Sequence, residues 1–204
     1  MKIDKIMVNN SLIGYFTIGI YLIFTCISAF FNLSLIDPIN HWVSDLGNSI
    51  LNPDGAVIYN IGCIITGCSL MIFFIGLKNL LNIMKKGKKF FVLIIIFGIF
   101  LSFSDIMIGV FSEDIFTAHL FWSLTFFIIL LPILLFGGIV LTKYVNFPRL
   151  IGYYGIVLTS INILFLFFYI PVFEWITIFS SLSFVGLISY QYPKKGELWV
   201  KATP

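Results

Sequence analysis

Apolar residues run along this chain in six blocks of about 20, separated by short polar stretches rather than broken by the polar faces of a soluble amphipathic helix. At about 1.5 Å per helical residue, a block of that length crosses a hydrocarbon core roughly 30 Å thick. The pattern predicts transmembrane helices over about residues 12–31, 56–77, 90–111, 118–141, 150–170 and 175–192. The expected fold class is all-α, a polytopic bundle of six membrane helices forming one domain over residues 1–204. The longest connection, 32–55, falls below the roughly 40 residues that a self-supporting domain needs, so no attached soluble domain is expected.

Composition strengthens this picture. Of 204 residues, 60% are hydrophobic and 10% charged, against about 25% charged in ordinary soluble domains. The first block follows Lys2 and Lys5 but exceeds the h-region of a signal peptide and has no convincing A-x-A site, which predicts a retained helix. Cys26, Cys63 and Cys68 all fall inside apolar blocks, without the spacing of a metal site or a disulfide framework.

Charge sets the expected orientation. Every lysine and arginine falls in segments that alternate onto one side: Lys2 and Lys5, Lys78 to Lys89, Lys143 with Arg149, and Lys194, Lys195 and Lys201. Basic residues near helix ends stay in the cytoplasm, so both termini are expected there, in a plasma-membrane protein. Seven of the nine acidic residues lie on or near the opposite side. The Lys85, Lys86, Lys88 and Lys89 cluster either fixes topology alone or also contacts anionic membrane lipids, at about 1 kcal/mol per lysine. The net charge of +3 therefore gives no ground for nucleic-acid binding.

The connection after the first block carries two turn signals, Asp37-Pro38 and Asn52-Pro53-Asp54-Gly55, the second of which offers Asp54 as a helix cap. Between them, Trp42 with Val43, Leu46, Ile50 and Leu51 suits an interfacial turn of helix at the membrane surface. Residues 171–174 are expected to join the last two helices as antiparallel neighbours. Pro132 lies inside the fourth block.

Candidate chemistry gathers at the acidic side. Asp105 is expected about seven residues, or roughly 10 Å, inside the third helix, where an ionisable group must face protein or water. Ser102, Asp105 and Gly109 share one helical face, and His119 and Ser123 share a face of the next helix. If the faces meet, His119 can bond Asp105. Asn60 and Asn162 are polar groups that can line the same cavity. Such a pair can lock two helices together, hold a ligand or headgroup, or act in catalysis. Glu113 and Asp114 read as a solvated loop face, and His41 as an interfacial histidine.

His41, His119 and Asp45 or Asp105 supply enough donors for a catalytic zinc with an open position. No HExxH, HxxxH or GxSxG pattern accompanies them, and Ser44 beside Asp45 suits turn chemistry.

The stretch His41-Trp42-Val43-Ser44-Asp45-Leu46-Gly47, followed by Asn60-Ile61-Gly62 and an apolar helix, resembles the domain-of-unknown-function 998 family of small multi-pass membrane proteins. Ser44 to Gly47 match that family's S-D-L-G motif before its second helix, and Gly109-Val110-Phe111 with His119 resembles its later G-x-F…H segment. Ser112 and Glu113 stand where a proline often follows the phenylalanine. A similar S-D-x-G also suggests a distant relation to the DRAM and Sfk-type membrane proteins. The resemblance implies the six-helix layout and two positions to test, and no activity or cofactor.

The leading expectation is an outward-facing polar pocket that binds a lipid headgroup or small polar ligand through Ser44, Asp45, Asn60, Asp105, His119 and Ser123. The alternatives are a metal-dependent hydrolase of a lipid ester or amide, with His41, His119 and Asp105 as ligands, and a small proton-coupled transporter.

Overall fold

The computed structural model describes residues 2–81, 84, 86–143 and 148–202, with side chains from residue 9 to residue 191. Lys85, and the side chains of Lys2, Lys5, Lys194, Lys195 and Lys201, lie outside the described residues. The chain forms α1 (Lys2–Phe31), α2 (Ala56–Gly76), the short α3 (Lys78–Leu81), α4 (Lys88–Val110), α5 (Phe116–Lys143), α6 (Arg149–Phe168) and α7 (Pro171–Ala202). Among the described residues there is no strand. Six helices are long and apolar enough to cross a membrane, as the hydrophobic blocks predict. Helices are the form that lets each such segment satisfy its own backbone in lipid.

Two boundaries differ from expectation in ways that matter. Residues 171–174 are the first turn of α7 and not a loop, because Pro171 opens a helix where its missing N–H is not required. The reversal is made instead by Tyr169 in the left-handed conformation, φ 49°, with Ile170. Asp54 does not cap α2. The helix begins at Gly55, and the carbonyl of Asn52 accepts the amides of Gly55 and Ala56.

The six long helices close into a ring in the order α1, α2, α4, α5, α6, α7, each packing mainly on its two neighbours. Every seam has identifiable contacts. Ser69 Oγ donates to Thr17 Oγ1 (2.9 Å) between α2 and α1, and Ser11 Oγ donates to the Ser189 carbonyl (2.6 Å) between α1 and α7. Asn162 Nδ2 donates to the Phe127 carbonyl (2.9 Å) between α6 and α5, and Tyr154 OH pairs with Ser183 Oγ (2.6 Å) between α6 and α7. Rings of Phe103 and Trp122 join α4 to α5. At the α2–α4 crossing, a Cβ on Gly67 would lie 2.7 Å from the Ser102 carbonyl, so only glycine permits that approach.

The outward faces carry exposed Phe16, Ile23, Phe100, Phe121 and Phe167, which suit a lipid surround. Polar groups turn inward or to the ends. One end of the ring bears seven of the nine acids and both histidines, and the other bears exposed Lys86, Lys88 and Lys89.

Candidate functional site

At the acid-bearing end, the connection between α1 and α2 folds into the mouth of the ring. This is a correction to the expected surface-lying turn of helix. Val43–Gly47 form a single 3-10 turn in which Val43 and Leu46 are fully buried, while Ile39 and Ile50 remain outside. The turn is held by its own polar groups. Asp45 Oδ2 accepts the amide of Trp42 (3.1 Å) and Nδ1 of His41 (2.8 Å), so the Asp45 carboxylate fixes the turn from within. His41 is thus a hydrogen-bond partner of Asp45, and its carbonyl accepts Trp175 Nε1 at 2.9 Å.

The rest of the S-D-L-G segment is similarly occupied. The Leu46 carbonyl accepts Ser28 Oγ (3.2 Å) and Asn52 Nδ2 (3.0 Å), and the Gly47 carbonyl accepts Asn60 Nδ2 (3.0 Å). Asn60 therefore braces the plug and does not line the interior. Ser44 alone of the four turns its surroundings toward the central space.

That space is a partly open cavity of about 130 Å³, bounded by α1, α2, α3, α4, α5, α7 and the plug. Its walls change character along its length. At the acid-bearing end they include Ser44, Asp105, His119, Ser123 and Glu174, and toward the basic end they are Leu80, Phe91, Val140, Leu141 and Ile188. From Asp105 to Phe91 along α4 the cavity extends for about 21 Å, at about 1.5 Å per residue. A second space of about 170 Å³ adjoins it and shares Ser44, His119, Ser123, Phe127 and Glu174 in its wall. Trp42, Phe165, Tyr169 and Glu113 complete that antechamber. The Trp42 and Tyr169 rings lie 4.8 Å apart there.

Asp105 and His119 both reach this region, as their helical faces predict, but they do not bond each other. His119 Nδ1 donates to the Phe111 carbonyl at 2.8 Å, tying the start of α5 to the end of α4. With Nδ1 committed as donor, Nε2 faces the cavity wall as a buried polar atom with no partner. Asp105 is 8% exposed, and no donor among the described residues reaches its carboxylate. Ser102 turns aside, donating to the Gly98 carbonyl at 2.7 Å. Asn162 is spent on the α6–α5 seam.

A family model described as protein of unknown function (DUF998) matches residues 17–190. The chain belongs to this family. No curated protein and no solved structure gives a match. For this DUF998 chain, then, the S-D-L-G turn resolves into a hydrogen-bonded plug, and the later histidine into a clamp on the end of α4 whose second nitrogen is left over.

The residue that sequence reasoning undervalued is Glu174. It is 6% exposed, accepts the Val43 amide at 2.7 Å and lines both spaces. Assigning 171–174 to a loop hid it. Once α7 starts at Pro171, Glu174, Ile178, Ser181 and Leu182 fall at helical spacing on the cavity face. Glu113, read as a solvated acid, is half-buried and lies within hydrogen-bonding reach of the Asp45 and Asn48 side chains. Asp114 is exposed as expected and accepts the Ser49 amide and hydroxyl, both at 2.9 Å. Farther out, Asn40 Nδ2 (2.6 Å) and the Ile39 amide (3.0 Å) hold the Asp37 carboxyl below the usual carboxylate range.

The three metal ligands considered for a hydrolase are not brought together. His41 is committed to Asp45 in the plug, and among the described residues no three His, Cys, Asp or Glu side chains gather as a metal would require.

Proposed function

We propose that this membrane protein binds an amphipathic lipid, with the apolar chain in the central cavity and the polar head at the acid-bearing end. The observation that carries the reading is a cavity whose acidic and histidine side chains, Asp105, His119 and Glu174, stand at one end, while the other end is walled by Leu80, Phe91, Val140, Leu141 and Ile188. Sites for small molecules are mostly apolar with a few convergent polar groups, and Asp105 and His119 Nε2 supply unsatisfied ones here. A hydrolase through His41, His119 and Asp105 is disfavoured by the separation of those donors. The segregation of basic residues supports placing the acid-bearing end outside the plasma membrane and both termini in the cytoplasm. On that orientation, exposed Lys86, Lys88 and Lys89 would meet anionic headgroups of the inner leaflet.

Gly137 gives a clean test. It lines the cavity, and a Cβ built there meets nothing closer than Phe184 at 3.6 Å, so the side chain of Gly137→Leu leaves the helix into the cavity space. Wild-type protein purified in mild detergent is expected to carry lipid detectable by native mass spectrometry. Gly137→Leu is expected to lose most of it at an unchanged unfolding midpoint. An identical lipid complement in both proteins would remove the reading.

A further inference from the structure

We infer that the ligand head is a protonated amine: the site selects an ammonium group attached to an apolar chain. This rests on the lipid-pocket reading above and specifies the headgroup. Three carboxyl side chains, Asp105, Glu113 and Glu174, line the two adjoining spaces, with Asp45 beside Glu113, and the described Lys86, Lys88 and Lys89 stand exposed at the other end. Asp45 is answered by His41 and by the Trp42 amide, and Glu174 is engaged by the Val43 amide. No donor among the described residues reaches Asp105. A buried carboxyl without a counter-charge is costly to keep ionised, and a bound cation removes that cost.

The second observation is His119. It is 6% exposed and lines both spaces, its Nδ1 is fixed as donor by the Phe111 carbonyl, and Nε2 is left as a buried atom without a hydrogen-bond partner among the described residues. An orphan acceptor and an orphan carboxyl call for a donor-rich group. A hydroxyl brings one proton. An ammonium brings three, together with the positive charge that an uncompensated Asp105 carboxylate lacks. The antechamber adds Trp42, Phe127, Phe165 and Tyr169, whose ring faces favour a cation over an anion. A phosphate or carboxylate head would meet three acids with no basic residue to offset them, and the donor set does not gather as a metal centre requires.

The amine can belong to a free lipophilic base or to an aminophospholipid headgroup, and one experiment separates these. The full-length protein in detergent is titrated with dodecylamine, dodecyltrimethylammonium, dodecanol and dodecanoate, with binding followed by calorimetry. Dodecylamine is expected to bind at least about tenfold more tightly than dodecanol, with the trimethylammonium compound between them and dodecanoate weakest. Asp105→Asn, which breaks no existing bond, and Glu174→Gln, which keeps an acceptor for Val43, should each weaken dodecylamine about tenfold and leave dodecanol unchanged. Retained dodecanol binding shows that the variants are folded. Displacement of dodecylamine by nanodiscs containing phosphatidylethanolamine, but not by those of phosphatidylglycerol, assigns the head to a lipid. Displacement by neither assigns it to a free base. Equal affinity for amine, alcohol and carboxylate would overturn the ammonium inference and leave the lipid pocket standing. Binding of none of the four would overturn both.

Discussion

The two ends of this bundle are closed in opposite ways. At the basic end, apolar Leu80 and Met84 are buried, and the neighbouring lysines 86, 88 and 89 stand exposed. Charge there belongs to the surface, and the polar side chains buried at that end, Asn10, Ser11 and Ser189, are uncharged. At the acid-bearing end the connection from α1 to α2 enters the ring, bringing Asp45 and Asn52 into burial along with Val43 and Leu46, while α7 contributes buried Glu174. Polarity there belongs to the interior. Buried carboxyl groups need partners more than exposed ammonium groups do, so Asp45 and Glu174 at the second end are tied into the plug while the lysines of the first face outward. The lesson is that a charge count per side cannot tell a solvated face from a folded-in one. Glu174 and Asp114 sit at the same end, yet one is fully enclosed and the other is open.

The sharpest way to break this contrast is within the plug itself. Leu46→Ala, which deletes a fully buried side chain, should lower stability by about 2–5 kcal/mol, whereas Ile50→Ala, four residues on and 85% exposed, should stay within about 0.5 kcal/mol. Unfolding midpoints in detergent compare them, and equal shifts would mean the turn is not packed. A middle-sized effect is expected from Asn52→Ala. Its amide reaches Ser28 Oγ (2.9 Å), the Ser28 carbonyl (3.2 Å) and the Leu46 carbonyl (3.0 Å), and the loss should cost about 1–3 kcal/mol. At the basic end, replacing Lys86, Lys88 and Lys89 together by Gln should move the same midpoint less than that single asparagine does.

The smallest expected effect lies on the exposed rim. Asp37 titrates below the ordinary carboxylate range because Asn40 and the Ile39 amide bond its ionised form. A depressed folded value gives stability that is present above the unfolded pKa and lost as pH falls through the folded one. Asn40→Ala should therefore be slightly less stable than wild type near neutrality, and the two midpoints should converge in acid. A gap that persisted in acid would trace the effect to something other than this carboxylate.

The length and spacing of the apolar blocks determined six spanning helices, because a bilayer imposes about 20 residues on any segment that crosses it and leaves the backbone only one economical form. Asp105 and His119 were also legible as inward-facing, since an ionisable group at that depth has nowhere else to point. What the sequence could not carry was who meets whom. His119 and Asp105 share adjacent helices at suitable heights, yet the imidazole turned to the Phe111 carbonyl, because a carbonyl freed at the end of α4 was nearer and equally in need of a donor. Glu174 looked like a loop residue until Pro171 proved to open a helix. The folding of Val43–Gly47 into the mouth depended on partners from α1, α2 and α7 that lie up to 131 residues away. Periodicity is a local property of the chain and survives translation into structure. A cavity and the atoms left unpaired within it are properties of the closed ring, and only the tertiary structure decides them.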